Sequence, residues 1–291
     1  MSTQAWDAYW AEHSTTNSFA CDYSETEGPY GAIFSFWREQ FAKFSNSDTV
    51  FDLAAGNGAL VDLYLHVMGK QSLPTWYNLD AANAKPVLQH PNIHYQKTTI
   101  EALPFADASA EHVISMFGFE YSDMRHSLKE ALRCLKPGGE CVFVMHHPDA
   151  VISKQSRITC TTYDQMLADP IWDTTATFST MPPQQVQQTL LRFLNQHLQQ
   201  VPEDAQDDVK LIGQTIFNIL QSNTHIEDII AQLQRLEAQM RFQVERLEQQ
   251  MKAAAHSGSL TDIATELGCV FSLHELSYGD APLAWVFRAK I

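Results

Sequence analysis

The segment Val50-Phe51-Asp52-Leu53-Ala54-Ala55-Gly56-Asn57-Gly58-Ala59-Leu60 constrains this chain more than any other. A β-prone run leads into a glycine turn, and a helix-like stretch, Ala59 to Met68, follows it. Glycines let the backbone adopt positive φ and approach a ligand closely. The helix start beyond them offers unpaired N–H groups. A second strand, Trp76 to Leu79, ends in Asp80, an acid placed to bond a ribose hydroxyl.

The rhythm continues through residues 49–147. Ile93 to Gln96 and His112 to Phe117 read as strands. Ser127 to Leu135 reads as a helix stopped by Lys136-Pro137-Gly138-Gly139, and Glu140 to Met145 as a fifth strand. Short apolar strands alternating with helices predict a parallel sheet covered on both faces. Residues 148–256 are Gln-rich and helical, with apolar Ile226, Ile230, Leu233, Met240, Val244, Leu247 and Met251 in a four-three repeat interrupted by Glu237. Residues 257–291 return to a helix, Leu260 to Leu267, and two strands, Val270 to Leu276 and Pro282 to Ile291, close enough in sequence to pair antiparallel. The expected organisation is an N-terminal helical cap over 1–48, a sheet domain from 49–147 and 257–291, and a helical insertion over 148–256.

Two ligands compete for the glycine loop. A dinucleotide site wants a small residue three positions after the second glycine, where this chain has Val61. Asp52, beneath the loop, repels a pyrophosphate and suits a ligand bearing an ammonium and a sulfonium. A tight turn whose glycines serve packing alone is the third reading. The net charge of −15 opposes binding to phosphate backbones or anionic lipid. No apolar run approaches the roughly 20 residues of a membrane span, and MSTQAWDAYW carries no secretory pattern. Cys21, Cys134, Cys141, Cys160 and Cys269 are scattered without a CxxC pair, so free thiols in a reducing cytoplasm are expected.

These landmarks together resemble the class I S-adenosylmethionine-dependent methyltransferases. Asp52-Leu53-Ala54-Ala55-Gly56-Asn57-Gly58 is similar to that family's acid-x-small-x-Gly-x-Gly loop. Glu101-Ala102-Leu103-Pro104-Phe105-Ala106-Asp107 resembles its E-x-LPF-x-D stretch, and Leu132-Arg133-Cys134-Leu135-Lys136-Pro137-Gly138-Gly139 its R-x-LKPGG turn. The resemblance covers 49–147 and 257–291. It implies a Rossmann-like α/β fold, a seven-stranded, mostly parallel sheet with an antiparallel C-terminal strand, S-adenosyl-L-methionine as cofactor and a small-molecule acceptor. It further implies that Asp52 meets the methionine ammonium, that Ala54, Gly56 and Gly58 line the ligand by backbone, and that Asp80 holds the ribose with Ala81 near the adenine. Ile100 and Glu101 would meet the adenine edge, with Thr99 where many relatives carry Asp. Met116 and Phe117 would face the cofactor.

Methyl transfer from a sulfonium is an in-line displacement that needs alignment and exclusion of water. A base is needed only where the acceptor must lose a proton. The ends of the fourth and fifth strands supply the candidates: Glu120 and Tyr121 for acceptor contact, and His146 as base. His147 alternates to the other side of its strand, and no metal is expected. Among the N-terminal aromatics, Tyr23, Tyr30 and Trp37 are candidates to cover the cleft; Trp37 reads first as core, and Tyr30, beside Gly28-Pro29 and Gly31, as ligand-facing. The long stripe is expected to join two chains in a homodimer, with an intrachain helical hairpin as its rival. Two other classes compete for the whole: a non-catalytic scaffold acting through the insertion, and, more weakly, a nicotinamide-dependent oxidoreductase.

Overall fold

Strand β1 (Thr49–Leu53) lies between two parallel neighbours, β2 (Thr75–Asp80) and β4 (Ala110–Met116). With β3 (Ile93–Lys97), β5 (Leu135–His146), β6 (Val270–Tyr278) and β7 (Ala281–Lys290), it forms a seven-stranded sheet of order β3-β2-β1-β4-β5-β7-β6. Strands β1 to β5 run parallel; β7 is antiparallel to both β5 and β6. The predicted Rossmann-like α/β sheet with its closing hairpin is therefore the observed one. The computed structural model describes residues 4–12, 27–222 and 225–291. Cys21 and Tyr23 lie outside the described residues.

Alternation along the strands sorts side chains into two apolar layers. Phe51 and Leu53 join Cys141, Phe143 and Met145 under α4 (Met124–Cys134) and α10 (Leu260–Glu266). Val50, Trp76, Val142 and Val144 join the opposite layer under α2 (Gly28–Phe41) and α3 (Ala59–Met68). Pro29 opens α2, where its missing N–H costs nothing. Ile33, Phe34, Trp37 and Phe41 are fully buried, each burial worth about 1.5–3 kcal/mol. Trp37 is core. Tyr30 packs against the same layer.

Two boundaries move from their sequence-predicted places for local reasons. β4 stops at Met116 because Phe117 has φ 56 and turns the chain. α4 starts at Met124 because Asp123 caps it, accepting from the N–H groups of Arg125 and His126. The two family-like landmarks also meet. Arg133 donates to the carbonyls of Leu103 (3.0 Å) and Phe105 (2.8 Å) and to the carboxylate of Asp107 (2.8 Å). Those residues brace the sheet domain; they are not cleft residues.

The chain divides into two compact units, Met1–Ser153 with Gln249–Ile291, and Lys154–Glu248. α5 (Val151–Leu167) leads into the second unit, which continues with α6 (Ile171–Thr174), α7 (Pro183–Gln200) and α8 (Gln206–Gln221). α9 (Ile226–His256) leads out of it. α7 buries Val186, Leu190 and Phe193, and α8 buries Val209, Ile212 and Ile216. Within this unit, α9 buries Leu233, Leu236, Met240, Val244 and Leu247.

The stripe expected to join a second chain is covered at its centre within one chain, while Ile226, Ile230 and Met251 stay half-buried. Leu233 is 0% and Leu247 3% exposed within one polypeptide. The buried set includes Leu236, which a strict seven-residue repeat passes over in favour of Glu237. Glu237 instead pairs with Arg241 at 2.7 Å. A straight helix drifts away from a 3.5-residue seam, so this stripe is the wider face of a core helix.

Candidate functional site

Leaving β1, the backbone passes through left-handed conformations at Ala54 (φ 52), Gly56 (φ 53) and Gly58 (φ 94). Asp80, at the end of β2, fastens this loop. Its Oδ2 accepts from the Gly56 N–H at 2.7 Å and its Oδ1 from the Ala82 N–H at 2.8 Å. Burial raises the Asp80 carboxyl above its usual range, although both backbone donors favour the charged form.

A cleft of about 230 Å³ opens beside this junction. It is lined by Ala54, Asp80, Ala81 and Ala82, by Thr99, Ile100 and Glu101, and by Phe117, Gly118, Tyr121 and Ser122. Gln249 and the aromatic residues Trp6 and Trp10 of α1 (Gln4–Glu12) complete it. Glu101 also accepts from the Asp123 N–H at 3.1 Å, tying the loops after β3 and β4 together. Among these lining residues none is Lys, Arg or His, and the charges are the carboxylates of Asp80 and Glu101.

Phe117, among the lining residues, is strained. A bulky residue with positive φ persists only where its surroundings hold it. Here the Phe117 N–H donates to the Val144 carbonyl at 2.7 Å, and buried Ser115 joins the Leu53 carbonyl to the Phe119 N–H. Gly118 permits close approach: a Cβ there would stand 2.5 Å from the Ala54 Cβ.

Behind Phe117 and Tyr121 lies a buried pair. Oε1 of Glu120 is 2.6 Å from His146 Nδ1 and accepts from the His146 backbone N–H at 2.7 Å. The imidazole packs on Phe117 (4.6 Å between centroids) and edge-on to Tyr121 (5.8 Å). The Glu120 side chain is fully enclosed, whereas His146 keeps 8% exposure. Hydroxyls pin the end of β5: Ser257 donates to the His146 carbonyl and Ser153 to the His147 carbonyl. His147 engages other neighbours, its ring tilted against Trp285 and facing Glu275 at 3.5 Å.

The residues named from sequence thus separate. Ala54, Asp80, Ala81, Thr99, Ile100, Glu101, Phe117 and Tyr121 line the cleft. Gly56 and Gly58 shape its loop without being among the lining residues. Glu120 and His146 stand one layer behind it, and Met116 and Tyr30 pack against the α2–α3 layer. Among the described residues no three His, Cys, Asp or Glu side chains converge as a metal-binding group. Sequence reasoning missed Trp6, Trp10, Ala82, Gly118, Ser122 and Gln249. The Trp6–Trp10 spacing was a signal for a helix, but Gln249 had none.

Asp52 is 1% exposed beneath the loop, and its Oδ2 has no hydrogen-bond partner among the described residues. Asn78, its register partner on β2, is also buried with both amide atoms unpartnered. Burial pushes the Asp52 carboxyl well above its usual range; the Trp76 indole opposes this, and the charge of Asp80 adds to it. The raised folded value means the folded chain holds this proton where the unfolded chain has lost it. Stability therefore falls as pH rises from about 4 through the folded titration. Asp52→Asn is expected to stabilise the ligand-free chain by about 1–3 kcal/mol at pH 8, with little gain near pH 4. Urea melts at the two pH values check this, and equal stability at pH 8 would contradict it.

Residues 51–143 match the family model described as a methyltransferase domain. The chain is 30% identical over 122 residues to the demethylmenaquinone methyltransferase of Chlorobaculum parvum, a match covering 39% of this chain and 49% of that protein. It is 28% identical over 103 residues to the ubiquinone/menaquinone biosynthesis C-methyltransferase of Shewanella sediminis, covering 33% and 41%. The chain thus spans about half the length of the curated relatives it matches, or less. Among solved structures it is similar to an S-adenosylmethionine-dependent methyltransferase from Mesorhizobium loti (TM-score 0.36, 20% identity, 42% of this chain and 57% of that one). It is also similar to the geranyl diphosphate C-methyltransferase of Streptomyces coelicolor (TM-score 0.36, 13% identity, 49% and 64%). Residues 51–143 are thus similar to a methyltransferase domain, and the seven-stranded sheet has the order expected for that resemblance.

Proposed function

We propose that this protein transfers a methyl group from S-adenosyl-L-methionine to a small, uncharged acceptor with an apolar, planar body. The junction of Asp80 with the glycine loop carries the reading. It sets a buried carboxylate, already fastened by two backbone donors, at the edge of a cleft whose walls are otherwise small or aromatic. Each carboxylate oxygen has a second lone pair for a ribose hydroxyl. When bound, the cofactor supplies an electrophilic methyl group on a sulfonium.

The remaining roles belong to this chain's own residues. Ala54 and Gly118 keep the cleft narrow, Ile100 and Glu101 flank its adenine side, and Phe117 and Tyr121 orient the acceptor and exclude water. Glu120, accepting at His146 Nδ1, leaves Nε2 to take a proton from an acceptor that reaches past Phe117 and Tyr121 to the 8% of His146 that stays exposed. A cleft without a cationic side chain does not suit a phosphorylated or carboxylated acceptor. A neutral quinone precursor, as the relatives' names indicate for them, suits it better.

No helix among the described residues is long and apolar enough to cross a membrane. Cys134, Cys141, Cys160 and Cys269 are free thiols, consistent with work in the cytoplasm. The reading includes no homodimer through the insertion, because the stripe that suggested one is covered at its centre.

Calorimetry with S-adenosylhomocysteine tests the cofactor, and methyl-labelled S-adenosylmethionine with demethylmenaquinone tests the acceptor. Asp80→Ala is expected to weaken the first by about 1.5–3 kcal/mol, roughly tenfold or more in affinity. Unchanged affinity would remove Asp80 from the ribose site. No heat from the wild-type protein would overturn the reading itself.

A further inference from the structure

The roof of the cleft comes from a helix that no family landmark includes. Trp10 of α1 rests on the glycine loop: a Cβ at Gly56 would fall 2.2 Å from its Cζ2. Trp6, one turn earlier, meets Tyr121 edge-on at 5.2 Å and donates from Nε1 to Gln249 Oε1 at 2.8 Å. Both indoles line the cleft. The helix is fastened on its other side to the segment after β2. Asp7 Oδ1 accepts from the Asn83 N–H at 2.6 Å, and the Lys85 ammonium donates to the Ala11 carbonyl. Thus α1 bridges the cleft, with one indole against the loop and the other against Tyr121.

We propose that α1 is a ligand-contacting roof that lifts to admit the cofactor and closes on it, and that Trp10 is a cofactor-contacting residue. The proposal rests on the cofactor reading above. Three physical points support it. Any group that reaches the Gly56 backbone from the cleft must touch Trp10 or displace it. An indole face is also a favourable neighbour for a sulfonium or ammonium. Finally, a nine-residue helix is too short to persist by itself. The links from Asp7 and Lys85 are solvent-exposed and the Trp6–Gln249 bond is only part-buried, so lifting the helix breaks few contacts and costs less than global unfolding.

Hydrogen exchange on the full chain, with and without saturating S-adenosylhomocysteine, reads the roof directly. Amides of 4–12 are expected to exchange faster than those of α3 in the free protein, and to slow about tenfold or more when the ligand is bound. In stopped-flow binding, Trp10→Ala is expected to release S-adenosylhomocysteine about tenfold faster, with Trp10→Phe restoring most of the loss. Circular dichroism confirms that each variant is folded, and the exchange measurement on the wild type needs no variant. Should the wild type bind S-adenosylhomocysteine without protecting 4–12, and Trp10→Ala release it at the wild-type rate, the roof is overturned and the cofactor reading stands. Should the wild type not bind it at all, the cofactor reading falls and the roof with it.

Discussion

Leu233→Glu combined with Leu247→Glu is expected to unfold the helical unit rather than to split a dimer. Both leucines are buried within one chain, at 0% and 3% exposure. Removing a buried leucine costs about 2–5 kcal/mol through lost contacts and the cavity left behind. A glutamate in its place adds the cost of an unpaired buried charge, which the chain relieves by exposing the helix. Two such changes reach the about 5–15 kcal/mol that stabilises a whole domain. Thermal melts by circular dichroism should lose the helical transition, and proteolysis should cut within 154–248. Light scattering should show aggregation, not a cleanly halved mass. A folded variant with an unchanged melt and half the wild-type mass would return the stripe to a subunit interface.

His146→Ala is expected to lower turnover by about 10²–10⁴-fold, the usual contribution of a general base. Affinity for S-adenosylhomocysteine should change by about twofold or less, because His146 is not among the cleft-lining residues. In the proposed reaction, Glu120 is a positioning residue acting through His146. It accepts both the backbone N–H and Nδ1 of that histidine, and it balances the imidazolium formed when Nε2 takes a proton. Its other oxygen, Oε2, has no hydrogen-bond partner among the described residues. Glu120→Ala should therefore approach the His146→Ala defect in kcat. Glu120→Gln, which keeps a carbonyl for the backbone N–H, should recover part of it with KM unchanged. Equal, small defects in kcat for all three would leave the enzyme with alignment alone, and would make the pair a structural one.

Legibility in the sequence followed the range of the interactions. The glycine loop, Asp80 and the strand–helix alternation depend on residues within a few positions of one another, so local pattern was enough. The pairing of Glu120 with His146 depends on β4 and β5 lying side by side. Both residues were candidates from their strand-end positions, yet nothing in either segment said that one would hold the other, or that both would sit behind Tyr121. Tyr30 was read from its flanking glycines as ligand-facing, and the fold adds only that it is half-buried against the α2–α3 layer.

Sequence alone determined the α/β class, the parallel sheet with its closing hairpin, the turn that must be glycine-rich, and the acid at the end of β2. Each follows from side-chain periodicity or from backbone angles that only certain residues accept. Tertiary structure alone decided what covers each apolar face and what closes the cleft. Periodicity states that the stripe on α9 must be buried, but not whether its own chain or a second chain buries it. Trp6 and Gln249 meet across 243 positions. That contact arises because the folded chain brings α1 and the C-terminal part of α9 to one cleft, a proximity that no local pattern encodes.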